Sequence, residues 1–144
     1  MNIRIISGSL RGRRIQIHRS AGAFRPTSQR VREAVADSIA GSISGAVVAD
    51  ICAGSGAFGF EMLSRGARTV DFVERDAARA ADISRHARKF GVEGQCRIIV
   101  HDAARFVRSQ TIARYNIIFY DPPYDDDELA WICLLYTSPS PRDS

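Results

Sequence analysis

From residue 46 onward the sequence alternates between apolar runs and helix-like stretches, and this alternation restricts the possible folds more than any other feature. Strand-like runs separated by helical patterns of about 10–15 residues are typical of βα units. Such units predict a doubly wound α/β sheet whose parallel strands are covered on both faces. The four strand-like runs are "AVVADICAG", "TVDFVERD", "CRIIVHD" and "YNIIFYD".

The N-terminal part of the sequence has a different pattern. Two short alternating runs, "IRIIS" and "RRIQIH", flank "GSLRG" and predict a β-hairpin. The linker "SAGAFRPT" follows, and Thr27 or Ser28 can cap the next helix. In that helix Val31, Val35 and Ile39 recur every four residues, which predicts a narrow apolar stripe.

Charge is distributed unevenly along the chain. The net charge is +4, yet residues 1–32 contain eight arginines and no Asp or Glu, and the remainder is mildly acidic. A bias toward arginine over lysine would explain the residue type but not the missing acids. We therefore expect the N-terminal segment to bind a polyanion such as nucleic acid, with phosphate contacts from four residues. These are Arg4, Arg11, Arg13 and Arg14.

Length and composition exclude several classes of protein. The 144 residues suffice for one domain with a real core. No apolar run is long enough to span a bilayer, and the start lacks the features of a signal peptide. Cys52, Cys96 and Cys133 have no CxxC spacing, and the three histidines have no metal-ligand spacing. We expect a cytoplasmic location, no membrane association and no metal.

A glycine-rich loop follows the first strand of the alternation, in "DICAGSGAFG". Gly54 and Gly56 allow a tight turn and let the backbone approach a ligand closely. The string also fits the GxGxxG pattern, so a nicotinamide-dinucleotide domain is one alternative, with a pyrophosphate held at the helix N-terminus. A strand–helix turn that binds nothing is another.

Three acidic residues close three successive strands, at the edge where open α/β sheets bind ligands. Asp50 would repel a pyrophosphate but could receive a cationic or amino-bearing ligand. Glu74 has the position from which a carboxylate accepts ribose hydroxyls, and Asp102 could reach the amino edge of an adenine. Each could also be a solvated acid, but together they predict a pocket for a nucleoside with a positive substituent, which fits S-adenosylmethionine.

The motif "DPPY" closes the fourth strand, beside the same crevice. Pro122 and Pro123 end the strand and leave a carbonyl free to accept. The Asp121 carboxylate and the Pro122 carbonyl could each accept one N–H of an exocyclic amino group, which would orient its lone pair toward a methyl donor. Tyr124 offers a ring on which a flipped-out base can stack.

These motifs, in this order, resemble the RsmD-type family, bacterial methyltransferases of guanine N2 in small-subunit ribosomal RNA. The matching segments are "RIISGSLRGRRI", "FRPTSQRVREAV", "DICAGSGAFGFEMLSRGA", "FVERD" and "FYDPPY". The resemblance implies a Rossmann-like class I S-adenosylmethionine-dependent methyltransferase fold with an N-terminal β-hairpin extension. It implies S-adenosylmethionine as cofactor and, as partner, small-subunit ribosomal RNA or the assembling 30S particle.

The resemblance also assigns residues to the site. Asp121, Pro122, Pro123 and Tyr124 would be catalytic. An arginine and a hydroxyl in "RPT" would help to hold the methionine end of the cofactor. The expected cofactor-binding residues are Arg25, Thr27, Asp50, Ala53, Gly54, Ser55, Gly56, Glu74, Arg75, Asp102 and Ala103.

The C-terminal end departs from the family pattern, which continues past "DPPY" with a helix and three more strands. The Ser/Pro-rich string "CLLYTSPSPRDS" has no period. We therefore expect a basic arm over 1–27, a truncated methyltransferase domain over 28–132, and a non-native or disordered tail over 133–144. The sheet would be incomplete, with its functional strand at an uncovered edge. A monomer is expected.

Other functions remain open at the level of sequence. Motifs of the "DPPY" type also serve methylation of adenine N6 in DNA and of glutamine side chains in proteins. An NAD(P)-dependent oxidoreductase and an RNA-binding fragment without activity are alternatives from other classes.

Overall fold

The computed structural model describes residues 2–17, 28–109 and 114–121, and the backbone of 133–136. Its architecture is a twisted, mainly parallel sheet with helices on both faces and a separate two-stranded hairpin. Among these residues no helix is both long enough and apolar enough to cross a membrane.

The N-terminal residues form the predicted hairpin. Strands β1 (Asn2–Arg4) and β2 (Arg14–Gln16) are antiparallel, with Ile3 opposite Ile15. Both isoleucines are buried, and they belong to the same hydrophobic cluster as the helices and the sheet. The hairpin is therefore an integral part of the core and not a detached arm.

Helix α1 (Gln29–Ser38) begins at Ser28, whose hydroxyl accepts a hydrogen bond from the Val31 backbone N–H at 3.2 Å, as predicted. A short helix α2 (Ala40–Ile43) follows. The predicted apolar stripe is only partly correct. Val31 is 36% exposed, and the buried residues of α1 are Arg32 and Ala36. The helix is rotated because Arg32 points inward toward a buried carboxylate.

The main sheet has the strand order β5-β4-β3-β6-β7. The first four of these strands are mutually parallel, and their positions match the four runs predicted from the sequence. The chain passes from β3 outward to β5 and then returns to the other side of β3, so the topological switch lies between β3 and β6. The strands are β3 (Val47–Ile51), β4 (Thr69–Glu74), β5 (Cys96–Val100), β6 (Ile117–Tyr120) and β7 (Cys133–Tyr136).

Within the described residues, the helices that connect the parallel strands are α3 (Ala57–Ser64), α4 (Ala77–Lys89) and α5 (Ala103–Ser109). Gly66 (φ 108°) and Gly91 (φ 74°) follow the ends of α3 and α4, in the left-handed conformation that commonly ends a helix. One face of the sheet packs against α3, α4 and the hairpin, and the other against α5. Alternation of side chains along each strand divides the core in this way.

Strand β7 corrects the expectation of an uncovered edge. It pairs with β6 in the antiparallel sense, with Cys133 opposite Tyr120. Four residues of the predicted non-native or disordered tail therefore continue the sheet, because an apolar segment can satisfy the unpaired N–H and C=O groups that β6 exposes. The rest of the tail, 137–144, lies outside the described residues.

Candidate active site

The carboxyl ends of β3, β4, β5 and β6 meet at one edge of the sheet, as the parallel pairing requires. The loop after β3 and Asp121, directly after β6, flank the switch between the two halves of the sheet. Open α/β sheets bind ligands in this crevice. Most of the described site residues predicted from the sequence lie along this edge.

The loop after β3 turns sharply through three residues in the left-handed region. These are Cys52 (φ 65°), Gly54 (φ 59°) and Gly56 (φ 84°). The Ala53 N–H donates to the Val73 carbonyl of β4 at 2.9 Å, which joins the loop to the neighbouring strand. The turn therefore places a short stretch of backbone, which includes Ser55, at the entrance of the crevice. The sequence contained no signal for the unusual conformation of Cys52.

Glu74, at the end of β4, is buried and holds the glycine-rich loop in place. Its Oε1 accepts a hydrogen bond from the Gly54 N–H at 2.8 Å, and its Oε2 accepts from the Asp76 N–H at 2.9 Å. Arg79 lies 3.9 Å from Oε2. The carboxylate thus has a fixed orientation at the edge of the crevice. Acceptance of ribose hydroxyls by its remaining lone pairs stays a prediction.

Asp50 is 2% exposed and lies under the loop. Its Oδ2 accepts a hydrogen bond from the Gly59 N–H of α3 at 3.0 Å. Burial raises the pKa of Asp50 well above its ordinary value, the Gly59 hydrogen bond lowers it, and the charges of Asp121 and Glu74 raise it. The three carboxylates therefore act on one another within a single crevice.

Asp50→Asn is expected to stabilise the fold above acidic pH. Because the folded state binds the Asp50 proton more tightly than the unfolded state, wild-type stability decreases as pH rises from 3.8 through the raised pKa. Asparagine keeps an acceptor for Gly59 without this penalty. We expect a gain of at least about 1 kcal/mol at pH 8, roughly 3 °C in Tm.

Thermal denaturation at pH 5 and pH 8 measures this effect. The Tm advantage of the Asp50→Asn variant over wild type should be larger at the higher pH. Asp82→Asn, which removes a partly exposed carboxylate on α4, controls for the change in net charge. An advantage that does not change with pH would contradict the prediction.

Cys52 has an inert thiol despite its place in the crevice. Burial and the charges of Glu74, Asp50 and Asp121 raise its pKa to about 12. A thiol with that pKa is protonated at neutral pH and is a poor nucleophile. The group therefore contributes shape to the loop, and nucleophilic attack by this thiol is not expected.

Asp121 follows β6 on the other side of the switch. Its N–H donates to the Ile51 carbonyl at 3.5 Å, and the residue is partly exposed. Its charge raises the pKa of both Asp50 and Cys52. The remaining predicted site residues around it and in the linker lie outside the described residues: Arg25, Thr27, Pro122, Pro123 and Tyr124.

Asp102 follows β5 and is exposed. Its Oδ2 accepts a hydrogen bond from the Arg105 N–H at 3.1 Å, so it caps α5, in which Ala103 is the first residue. The pKa of Tyr120 is raised by burial and by the charges of Cys52 and Asp102. Asp102 therefore borders the same crevice. Arg75 is exposed after the end of β4.

The hairpin presents its predicted basic residues in two ways. Arg4 and Arg14 lie opposite each other on the exposed face of the hairpin, and Arg11 is exposed in the turn. Arg13 has a structural contact as well. Its Nη2 donates to the Lys89 carbonyl at 3.0 Å, and its guanidinium lies 4.9 Å from the Phe90 ring. The Arg13 guanidinium therefore helps to hold the hairpin on the end of α4, and fewer of its donors remain for a phosphate.

Glu61 is the main residue whose role the sequence analysis did not identify. It is fully buried in α3 and accepts hydrogen bonds from the hairpin backbone. The signal that could have identified it is a single acid within the otherwise apolar string "AFGFEML". Across the described segments no group of three or more His, Cys, Asp or Glu side chains could hold a metal ion.

Comparisons with known proteins agree with this geometry. The family model described as conserved hypothetical protein 95 matches residues 3–138. The chain is 38% identical over 122 residues to ribosomal RNA small subunit methyltransferase D of Escherichia coli strain K12, covering 85% of this chain and 60% of that protein. The protein of the same name from Haemophilus influenzae is 33% identical over 85% of this chain and 64% of its own length.

The solved structure of Escherichia coli yhhF aligns with a TM-score of 0.77 and 35% identity, over 86% of this chain and 65% of that one. The parallel sheet with helices on both faces is the fold of class I S-adenosylmethionine-dependent methyltransferases, and the separate hairpin is an N-terminal extension of it, both as expected from the sequence. The chain spans about 60% of the length of the Escherichia coli relative.

Proposed function

This chain belongs to the conserved hypothetical protein 95 family, the RsmD family, and from that premise we propose that it transfers a methyl group from S-adenosylmethionine to ribosomal RNA of the small subunit. The proposed acceptor is the exocyclic N2 of a guanine. The relatives named above are ribosomal RNA small subunit methyltransferases, and the finer choice of atom rests on the resemblance of the sequence to the RsmD-type family.

The charge of the crevice is the observation that carries the proposal. Asp50, Glu74 and Asp121 lie close enough to interact electrostatically at the switch between β3 and β6. Ionised carboxylates there favour a cationic ligand, whose charge would also lower the raised pKa of Asp50, and they disfavour the pyrophosphate that a nicotinamide dinucleotide would place there. The residues present therefore fit a sulfonium nucleoside better than a dinucleotide.

Each part of the site has a separate task in this proposal. The backbone of the loop through Gly54 and Gly56 would contact the cofactor, and Glu74 would accept from its ribose. S-adenosylmethionine supplies an electrophilic methyl group on a positively charged sulfur. Asp121 would accept an N–H of the guanine amino group, orient its lone pair and receive the proton that is released, directly or through water.

The basic face of the hairpin would bind the phosphate backbone of the RNA. Arg4 and Arg14 lie directly opposite each other, and like charges in that arrangement are destabilising unless an anion compensates them. Phosphate contacts of this kind position an RNA without reading its sequence. We propose no metal for the reaction and a monomer as the active form.

Methyl transfer with tritiated S-adenosylmethionine tests the proposed function. Small-subunit ribosomal RNA and assembling small subunits are the substrates, and duplex DNA and bulk protein are the controls. After digestion to nucleosides, the label is expected in N2-methylguanosine. Label in N6-methyladenine or in glutamine would overturn the choice of acceptor. An increase in the Tm of the chain on addition of NAD(P), with no increase on addition of S-adenosylmethionine, would overturn the choice of cofactor.

A further inference from the structure

Glu61 lies where the hairpin, α1 and α3 meet. The carboxylate is fully buried. Its Oε1 accepts a hydrogen bond from the Ile6 N–H at 3.0 Å, and its Oε2 accepts one from the Ser7 N–H at 3.1 Å. Oε2 also accepts from Nε of Arg65, one turn further along α3, at 3.0 Å. A single side chain thus satisfies two consecutive backbone donors of the hairpin.

Arg32 brings α1 into the same network. It is 2% exposed, its Nε lies 4.0 Å from Glu61 Oε1, and its Nη2 donates to the Arg4 carbonyl at 2.9 Å. Burial lowers the pKa of Arg32 and the charge of Glu61 raises it, with a net decrease. The two charges therefore hold the first half of the hairpin, at Arg4 in β1 and at Ile6 and Ser7 just beyond it.

The network is not arranged for maximum stability. In the part of the chain that the structure describes, Nε of Arg32 is a buried polar atom without a hydrogen-bond partner. Buried ion pairs often contribute little net stability compared with apolar side chains, because desolvation offsets their attraction. What such a network can supply is a defined orientation of the elements it joins.

The elements joined here are those that need a defined orientation. Helix α3 begins directly after Gly56 of the glycine-rich loop, and Glu61 lies about 7 Å further along its axis. The hairpin carries Arg4 and Arg14 on its exposed face. The loop has a separate contact, the hydrogen bond that the Gly54 N–H donates to Glu74, and the first turn of α3 has another, which the Gly59 N–H donates to Asp50. Glu61 can therefore affect the hairpin without affecting the loop.

We propose that Glu61 is a positioning residue, which holds the basic face of the hairpin at a fixed place relative to the crevice. The proposal rests on the proposed function, in which this face binds RNA phosphates while the target base enters the crevice. Loss of the Glu61 charge would loosen the segment at Ile6 and Ser7 and shift the basic face, although the apolar contacts keep the hairpin docked, and it would weaken RNA binding. Cofactor binding would remain because the loop keeps its own contacts.

The test compares Glu61→Gln with the matched variant Asp37→Asn. Asp37 is the other acid bound to Arg65, at 2.9 Å, and its side chain is 64% exposed. For Glu61→Gln we expect amide exchange at Ile6 and Ser7 to accelerate about tenfold, because weaker acceptors raise the population of open states. RNA affinity should fall about tenfold with a smaller dependence on salt, since fewer phosphates are contacted at once.

S-adenosylhomocysteine affinity should change less than about twofold in the same variant, and Asp37→Asn should leave all three measurements within about twofold of wild type. Unchanged RNA affinity despite faster exchange would show that Glu61 only supports the fold. A parallel loss of affinity for cofactor and RNA would show general disruption. Either result would overturn the proposal.

If Glu61→Gln does not fold, the same measurements on Arg32→Lys test the proposal. Lysine keeps the charge opposite Glu61 but loses the planar fork that also reaches the Arg4 carbonyl. It should weaken RNA binding and leave S-adenosylhomocysteine affinity unchanged. These measurements need no methyl transfer. Failure of wild type to transfer a methyl group would therefore count against the proposed function alone.

Discussion

Gly8→Ala is expected to destabilise the protein by about 3–5 kcal/mol and to displace the hairpin. A Cβ at this position would lie 1.9 Å from the Ser64 carbonyl oxygen and 2.4 Å from its carbon. These are backbone atoms at the end of α3, so no side-chain rotation can relieve the clash. The positive φ of 93° adds strain for any residue with a side chain. Relief requires the hairpin to move away and to expose its apolar face.

Gly12 provides a matched control in the same hairpin. Its φ is 84°, yet nothing lies within 4 Å of a Cβ added there. Gly12→Ala should therefore cost only the conformational strain of about 1–2 kcal/mol. Denaturation in urea measures the loss of unfolding free energy in both variants. RNA affinity should decrease in Gly8→Ala, because its hairpin is displaced, and should not change in Gly12→Ala. Equal costs for the two variants would refute the steric explanation.

The sequence was sufficient to predict the four parallel strands of the sheet and the meeting of their carboxyl ends at one edge. Alternation of apolar and polar residues, or a continuous apolar run, identifies a strand without knowledge of its tertiary contacts. Parallel pairing then brings the carboxyl ends of the strands together. Strand-end positions alone therefore predict that Asp50, Glu74 and Asp121 share one crevice, and the structure brings all three together there. The capping role of Ser28 was also predictable, because it depends only on local hydrogen bonding.

Tertiary contacts accounted for what the sequence could not predict. The buried face of α1 is centred on Arg32, which pairs with Glu61, so the predicted apolar stripe lies partly to one side of that face. The hydrogen bonds of Asp50 and Glu74 to Gly59 and Gly54 likewise depend on how loop and helix pack. Docking of the hairpin onto α3 and α4 could not be predicted because its donors are backbone groups, which leave no trace in residue types.

Asp121→Asn is expected to reduce kcat for RNA methylation by about 10²–10³-fold, with little change in affinity for S-adenosylhomocysteine. Asparagine has the same shape and keeps one acceptor oxygen, but it has no negative charge to stabilise the amino group as it becomes positive in the transition state. Because that charge matters mainly in the transition state, the loss should appear in kcat more than in KM.

Asp76→Asn is the matched control for this change of charge. Asp76 caps α4 at the same edge of the sheet, through hydrogen bonds from the Ala78 and Arg79 N–H groups, and asparagine caps a helix as well as aspartate does. Single-turnover methylation of small-subunit RNA with saturating cofactor measures both variants. We expect Asp76→Asn to stay within about threefold of wild type, since its carboxylate faces backbone N–H groups and not the acceptor. An equal loss in both variants would mean that the overall negative charge of the edge determines the rate. A normal rate for Asp121→Asn would remove Asp121 from the catalytic step, and the acceptor amino group would then need another partner in the crevice.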